Sequence, residues 1–64
     1  MKLTEREIMV LELVAEGLAD KQIGAALGIT ERTVQTHVAR IYLKIGIHNR
    51  VLAARYYLEQ VCVT

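Results

Sequence analysis

The stretch from Gly24 to Ile45, GAALGITERTVQTHVARIYLKI, constrains this chain more than any other. Before the turn, Ile23, Ala26 and Leu27 give one short helix an apolar edge, while Gly24 and Ala25 leave room for a second helix to approach closely. After it, Val34, Val38, Ile41 and Ile45 recur at i, i+4, i+7 and i+11, the stripe of a longer helix. Leu27-Gly28-Ile29 can join the two only by a tight turn: Gly28 supplies the positive φ, and Thr30 caps the helix that follows. This is the outline of a helix-turn-helix, so the other residues must supply the support that holds it.

Sixty-four residues make one domain, near the lower limit for folding without disulfides or metal. The single Cys62 closes no internal disulfide, and with His37 and His48 it makes no usual zinc spacing, so no metal and no cofactor are expected. Cys62 reads as a small apolar residue near a frayed end. With 53% hydrophobic residues, 23% charged and no Pro, the chain is neither disordered nor low in complexity. No apolar run is long enough to span a bilayer and no signal-peptide pattern opens the chain, so the cytoplasm is the expected compartment.

The net charge of +1 says little, but its distribution is uneven. Up to Asp20, Lys2 and Arg6 face Glu5, Glu7, Glu12, Glu16 and Asp20, a net −3. Beyond it, Lys21, Arg32, Arg40, Lys44, Arg50 and Arg55 face Glu31 and Glu59, a net +4. A molecule with one basic end can hold a polyanion in a defined orientation.

Thr4-Glu5-Arg6-Glu7 predicts a capping box opening a first helix over about residues 5 to 16, stopped by Gly17, with Ile8, Leu11, Val14 and Ala15 inward and Val10 and Leu13 beside them. Asp20 is the expected N-cap of the second helix. Gly46 ends the third, and Asn49 caps a fourth over about residues 50 to 61. Its expected inward stripe is Ala54, Tyr57, Leu58 and Val61, with Ala53 alongside; Leu52, Arg55, Tyr56 and Glu59 form a second stripe whose apolar members suggest a partner helix. The fold class is therefore all-α, a compact four-helix bundle containing a helix-turn-helix.

The outward face of the third helix carries Arg32, Gln35, Thr36, Ala39, Arg40 and Leu43. It lacks the Glu/Lys alternation of a solvated face and mixes small with hydrogen-bonding residues, so it can lie flush in a major groove. No nucleophile–base pair, carboxylate pair or phosphate loop is present, and an enzyme is not expected.

Leu3-Thr4 with Arg6-Glu7, Gly17, Lys21 with Ile23, Leu27 with Ile29, Thr33-Val34, His37, Ile41, Lys44, and Asn49-Arg50 followed by Ala53 resemble the LuxR/GerE-type DNA-binding domain of NarL/FixJ-class response regulators and quorum-sensing regulators. The resemblance covers about residues 3 to 58, in the family's order and spacing. It implies a single domain over 1–64 whose third helix enters the major groove of double-stranded DNA. It also implies a homodimer, supported by the fourth helix, on a pseudo-palindromic site. Base contacts would come from Gln35, Thr36 and Ala39. Where the family commonly has Lys this chain has Gln35, and Ala39 stands where a longer polar residue is usual, which shifts the expected readout toward adenine and thymine.

Phosphate contacts are expected from Lys21, Thr30, Arg32, Thr33, Arg40, Lys44 and Arg50, helped by free amides at the two helix N-termini. The dimer contact is expected from Leu52, Arg55, Tyr56 and Glu59. His37 and His48 read as structural, with His37 near phosphate. The chain is expected to be a piece of a longer regulator, with an N-terminal receiver or ligand-binding domain outside it and RNA polymerase as a possible further partner. Two alternatives keep the helices but change the role: a promoter-reading module like that of a sigma factor, from which the Ile45 to Ala53 stretch differs, and a helical protein-interaction module working through Leu52 and Tyr56.

Overall fold

The structure is a computed structural model and describes residues 2–62. In chain order it has α1 (Glu5–Ala15), α2 (Asp20–Leu27), α3 (Glu31–Ile45) and α4 (Arg50–Tyr56), the last running into a π-helical turn at Tyr57–Val61. The described residues contain helices and no strands, as the sequence predicts.

Each helix starts where a side chain can satisfy its free amides. Thr4 opens α1 with both halves of a capping box: its amide donates to Glu7 Oε1 at 2.8 Å, and the Glu7 amide donates to Thr4 Oγ1 at 3.2 Å. Thr30 accepts from the Thr33 amide at 3.1 Å, and Asn49 Oδ1 accepts from the amides of Val51 and Leu52. Gly28 and Gly46, both at φ 71, close α2 and α3 in the left-handed conformation. The second helix departs from expectation: its N-cap is Ala19, whose amide donates to Gln22 Oε1 at 2.8 Å, and Asp20 is already helical. The Asp20 carboxylate instead takes the Arg50 guanidinium at 2.8 Å.

α1 packs on both α3 and α4, and α2 packs on α3. The shared core is Val10, Leu11, Val14, Ile23, Val34, Val38, Ile41 and Ala53. Those of α3 are as expected, except that Ile45 is only partly buried. On α1 the helix is turned from the expected stripe, so that Glu7, Val10, Leu11 and Val14 face inward, while Ile8 and Ala15 are partly exposed. A carboxylate can occupy that inward position because Lys44 on α3 meets it. Burying such side chains contributes roughly 1.5–3 kcal/mol each, a large part of what a domain of this size has.

The fourth helix also differs. Ala53 is fully buried, and Leu58, expected inside, is 59% exposed. Residues Ala53, Tyr57 and Val61 follow one another at i+4, and it is this line, with its small member against the core, that turns inward. The π turn carries it, through the Cys62 amide bonding Tyr57 O at 2.7 Å. Tyr56, expected on the outer stripe, is half-buried against the core. Ala25 and Ala26 are exposed, so the close approach falls on Gly24 alone.

Candidate nucleic-acid interface

α2, the Gly28 turn and α3 form a helix-turn-helix whose geometry depends on one glycine. A Cβ on Gly24 would lie 2.7 Å from Ile29 O and 3.4 Å from the Glu31 amide nitrogen, both backbone atoms of the turn. The turn therefore rests directly on the α2 backbone, reinforced by the Ile29 amide donating to Gly24 O at 2.9 Å. This fixes where α3 begins relative to α2.

With Val34, Val38 and Ile41 turned into the core, the other side of α3 is open. Arg32, Thr33, Gln35, Thr36, Ala39, Arg40 and Leu43 are all exposed, as are Lys21 and Thr30. Leu43 is 76% exposed, more than any other exposed large hydrophobic among the described residues. His37 sits at the edge of this face, partly buried, with an Nδ1 that has no hydrogen-bond partner among the described residues.

The cations beyond Asp20 divide into two groups. Among the described residues, Lys21, Arg32 and Arg40 make no ion pair. All three lie on α2 or α3, as does Lys44, which is paired. Lys44, Arg50 and Arg55 are committed elsewhere. Lys44 Nζ lies 2.7 Å from Glu7 Oε1, and Arg50 reaches both Asp20 Oδ1 and the Leu18 carbonyl at 2.8 Å. Arg55 faces Glu59 at 3.6 Å, one turn away on the surface, a pair contributing little in water. The sequence places Lys44 and Arg50 with the phosphate contacts; the structure uses both to hold helices together. Sequence spacing alone does not reveal this, because their partners lie 37 and 30 residues away.

Glu7 is the residue that the sequence reading missed. It is 3% exposed, beneath α3. Burial, the largest single influence, pushes its carboxyl up; the Lys44 ammonium and the amide and hydroxyl of Thr4 together outweigh that and hold it below its ordinary 4.5. The only signal was its second membership: the capping-box residue of α1 is also the first position of the Glu7, Val10, Leu11, Val14 stripe.

Two further details bear on what α3 can touch. Thr30 Oγ1 and Thr33 Oγ1 are 2.8 Å apart, and Thr30 Oγ1 also accepts the Thr33 amide. Two hydroxyls share one hydrogen bond, so one hydroxyl proton remains to be donated outward, beside the free amides of the first turn. Thr36 Oγ1 donates to Arg32 O at 3.2 Å, so its proton is spent on the helix itself.

On α4, Leu52, Arg55, Tyr56 and Glu59 line an open groove together with Ile47 and Gln60. Leu52 is 48% exposed there. The four residues expected at a dimer contact are thus brought together, though Tyr56 faces the core as much as the solvent.

Comparison with known proteins agrees with this architecture. The family model described as "Bacterial regulatory proteins, luxR family" matches residues 1–57. The chain is 43% identical over 58 residues to the nitrate/nitrite response regulator protein NarP of Escherichia coli, covering 91% of this chain and 27% of that protein. It is 45% identical over 58 residues to the nitrate/nitrite response regulator protein homolog of Haemophilus influenzae, covering 91% of this chain and 28% of the relative. With the transcriptional regulatory protein LiaR of Bacillus subtilis it shares 46% identity over 54 residues, covering 84% of this chain and 26% of that one. The chain therefore spans little more than a quarter of the length of these relatives. The family match also decides against the sigma-factor reading of the same helices. With its helix-turn-helix, its capped four-helix frame and this match across nearly its whole length, the chain belongs to the luxR family of bacterial regulatory proteins, DNA-binding regulators of transcription and not enzymes.

Proposed function

We propose that α3 enters the major groove of double-stranded DNA, with Gln35, Thr36 and Ala39 at the base edges and Lys21, Arg32, Arg40 and the Thr30–Thr33 hydroxyl pair on the phosphates. The observation that carries this is that Lys21, Arg32 and Arg40, spread along α2 and α3, make no ion pair among the described residues, while Lys44, Arg50 and Arg55 each do. A Lys or Arg left unpaired on a concentrated face is available to displace counterions from a phosphate chain. Lys44 and Arg50 are left out of the phosphate set, because each would have to break an ion pair to reach it.

Fluorescence anisotropy with palindromic duplexes, titrated across a range of salt, tests the reading. Affinity should depend on duplex sequence and fall with salt, and Arg32→Gln or Arg40→Gln should each reduce the log–log salt slope by about 1 without changing the preferred sequence. Binding indifferent to sequence, or insensitive to salt, would be incompatible with it.

The relatives are named as response regulators, and the chain covers about a quarter of each. On that ground we read it as the effector domain of a cytoplasmic two-component regulator, a receiver domain controlling its pairing and RNA polymerase reading the result. No helix among the described residues is long and apolar enough to cross a membrane. The groove at Leu52, Arg55 and Glu59 supports a two-fold contact through α4 between protomers on a pseudo-palindromic site. Leu52→Asp should weaken binding to a two-half-site duplex at least tenfold more than to a single half-site; equal losses on both would make α4 a scaffold only. Leu52 is the residue to change because Tyr56 also packs on the core and its loss would confound folding with pairing.

A further inference from the structure

The outer face of α3 carries an apolar line that a solvated helix would not have. Thr36, Ala39 and Leu43 fall at i, i+3 and i+7, within roughly 60° of arc, and all three are exposed. Thr36 belongs to this line because of its hydroxyl geometry. With its proton donated to Arg32 O, it offers solvent a γ-methyl and an acceptor lone pair, but no donor. Leu43, 76% exposed, continues the line at its C-terminal end. No residue of the line can donate to guanine O6 or N7, the commonest specific contact in a major groove.

What covers such a line must be apolar and set within a negatively charged surface. Arg32 stands at its N-terminal end, Arg40 along its flank, and neither makes an ion pair among the described residues. In a DNA major groove the only apolar groups are the C5-methyls of thymine. From Thr36 to Leu43 the helix rises about 10 Å, which matches about three base-pair steps at about 3.4 Å each. We infer that Thr36, Ala39 and Leu43 read a short run of thymine methyls within about four successive T·A pairs, with Gln35 at the edge of the line bonding an adenine through N6 and N7. This rests on the major-groove reading of α3 given above and names the base-pair class that this surface selects.

The test begins with selection of bound duplexes from a random DNA pool, in which half-sites carrying a run of thymines should be enriched. The selected duplex is then remade with deoxyuridine in place of each thymine of the run, which removes the methyls and leaves base pairing intact. Wild-type affinity should fall by about fourfold per methyl lost, at least tenfold for the run. Thr36→Ser retains the hydroxyl that bonds Arg32 O and removes only the methyl. Combined with Leu43→Gln, at a position already in solvent, it should bind the thymine duplex more weakly and lose most of the difference between thymine and deoxyuridine. Selected half-sites without a thymine run, an unchanged affinity on deoxyuridine, or a deoxyuridine penalty undiminished in the double variant would each overturn the inference while leaving DNA binding in place. Failure of the pool to yield any salt-sensitive binder would instead overturn the major-groove reading itself.

Discussion

Replacing Glu7 by Ala should destabilise the domain by about 3 kcal/mol or more, enough to unfold much of a chain this small. Three losses coincide. The ammonium of Lys44, whose side chain is 20% exposed, keeps its desolvation cost without its partner; the Thr4 amide loses its acceptor; and the space beneath α3 is left partly empty. Glu7→Gln separates these effects, because an amide oxygen can still accept from Thr4 and fill the space, while the charge is gone. It should cost less than Ala and leave a different response to pH. Since folding lowers the Glu7 pKa below its ordinary 4.5, the folded protein holds that proton less readily than the unfolded chain. The contribution is complete above 4.5 and is lost as pH falls through the lower folded value. Thermal melts of wild type and Glu7→Gln at a series of pH values should therefore converge as acid is added. A constant gap between the two curves down to the most acidic sample would show that Glu7 is not ionised in the fold.

The second large effect should come from a single methyl. A Gly→Ala change inside a helix ordinarily stabilises by roughly 0.5–1 kcal/mol, because glycine loses more backbone entropy on folding. Gly24→Ala should do the opposite and destabilise by about 1–3 kcal/mol. The new Cβ would stand 2.7 Å from Ile29 O, and neither the helix backbone nor the turn can give way as a side-chain tip could. Since the atoms displaced belong to the entry of α3, the population that stays folded should also bind DNA at least tenfold more weakly. Urea melts and duplex titration of the same sample check both parts. Gly28→Ala is the useful contrast: nothing lies within 4 Å of its Cβ, and its cost, about 1–2 kcal/mol, comes only from the positive φ of 71. A Gly24→Ala protein as stable as wild type would mean that the turn does not rest on α2.

The fold was legible in the sequence because its signals are local. Caps at Thr4, Thr30 and Asn49 and stops at Gly28 and Gly46 act within one turn of where they stand, and each lies where the residues predict. What the sequence did not show has another cause. Asp20, Lys44 and Arg50 are polar residues whose roles are decided by groups distant in the chain, and a helical wheel drawn for one element cannot see them. The same holds for Glu7, which hydropathy alone assigns to the surface. On the fourth helix Tyr57 and Val61 pack inward as expected, but whether Ala53 or Leu58 joins them depends on what α1 can accommodate, and periodicity offers both. The exposed face of α3 was readable, but the orientation of Thr36 was not, because it depends on a hydroxyl choosing its own helix over solvent.

The Glu7–Lys44 pair also restricts how a sequence like this one can drift. Two apolar side chains of suitable shape in the same places would remove both buried charges, at the cost of the acceptor that Glu7 gives the Thr4 amide. Reaching them takes two substitutions in codons far apart, and either one made first strands a charge inside the protein. The intermediate, not the destination, is the obstacle. A lineage that has acquired the pair therefore finds it hard to leave, whatever DNA sequence its α3 comes to prefer.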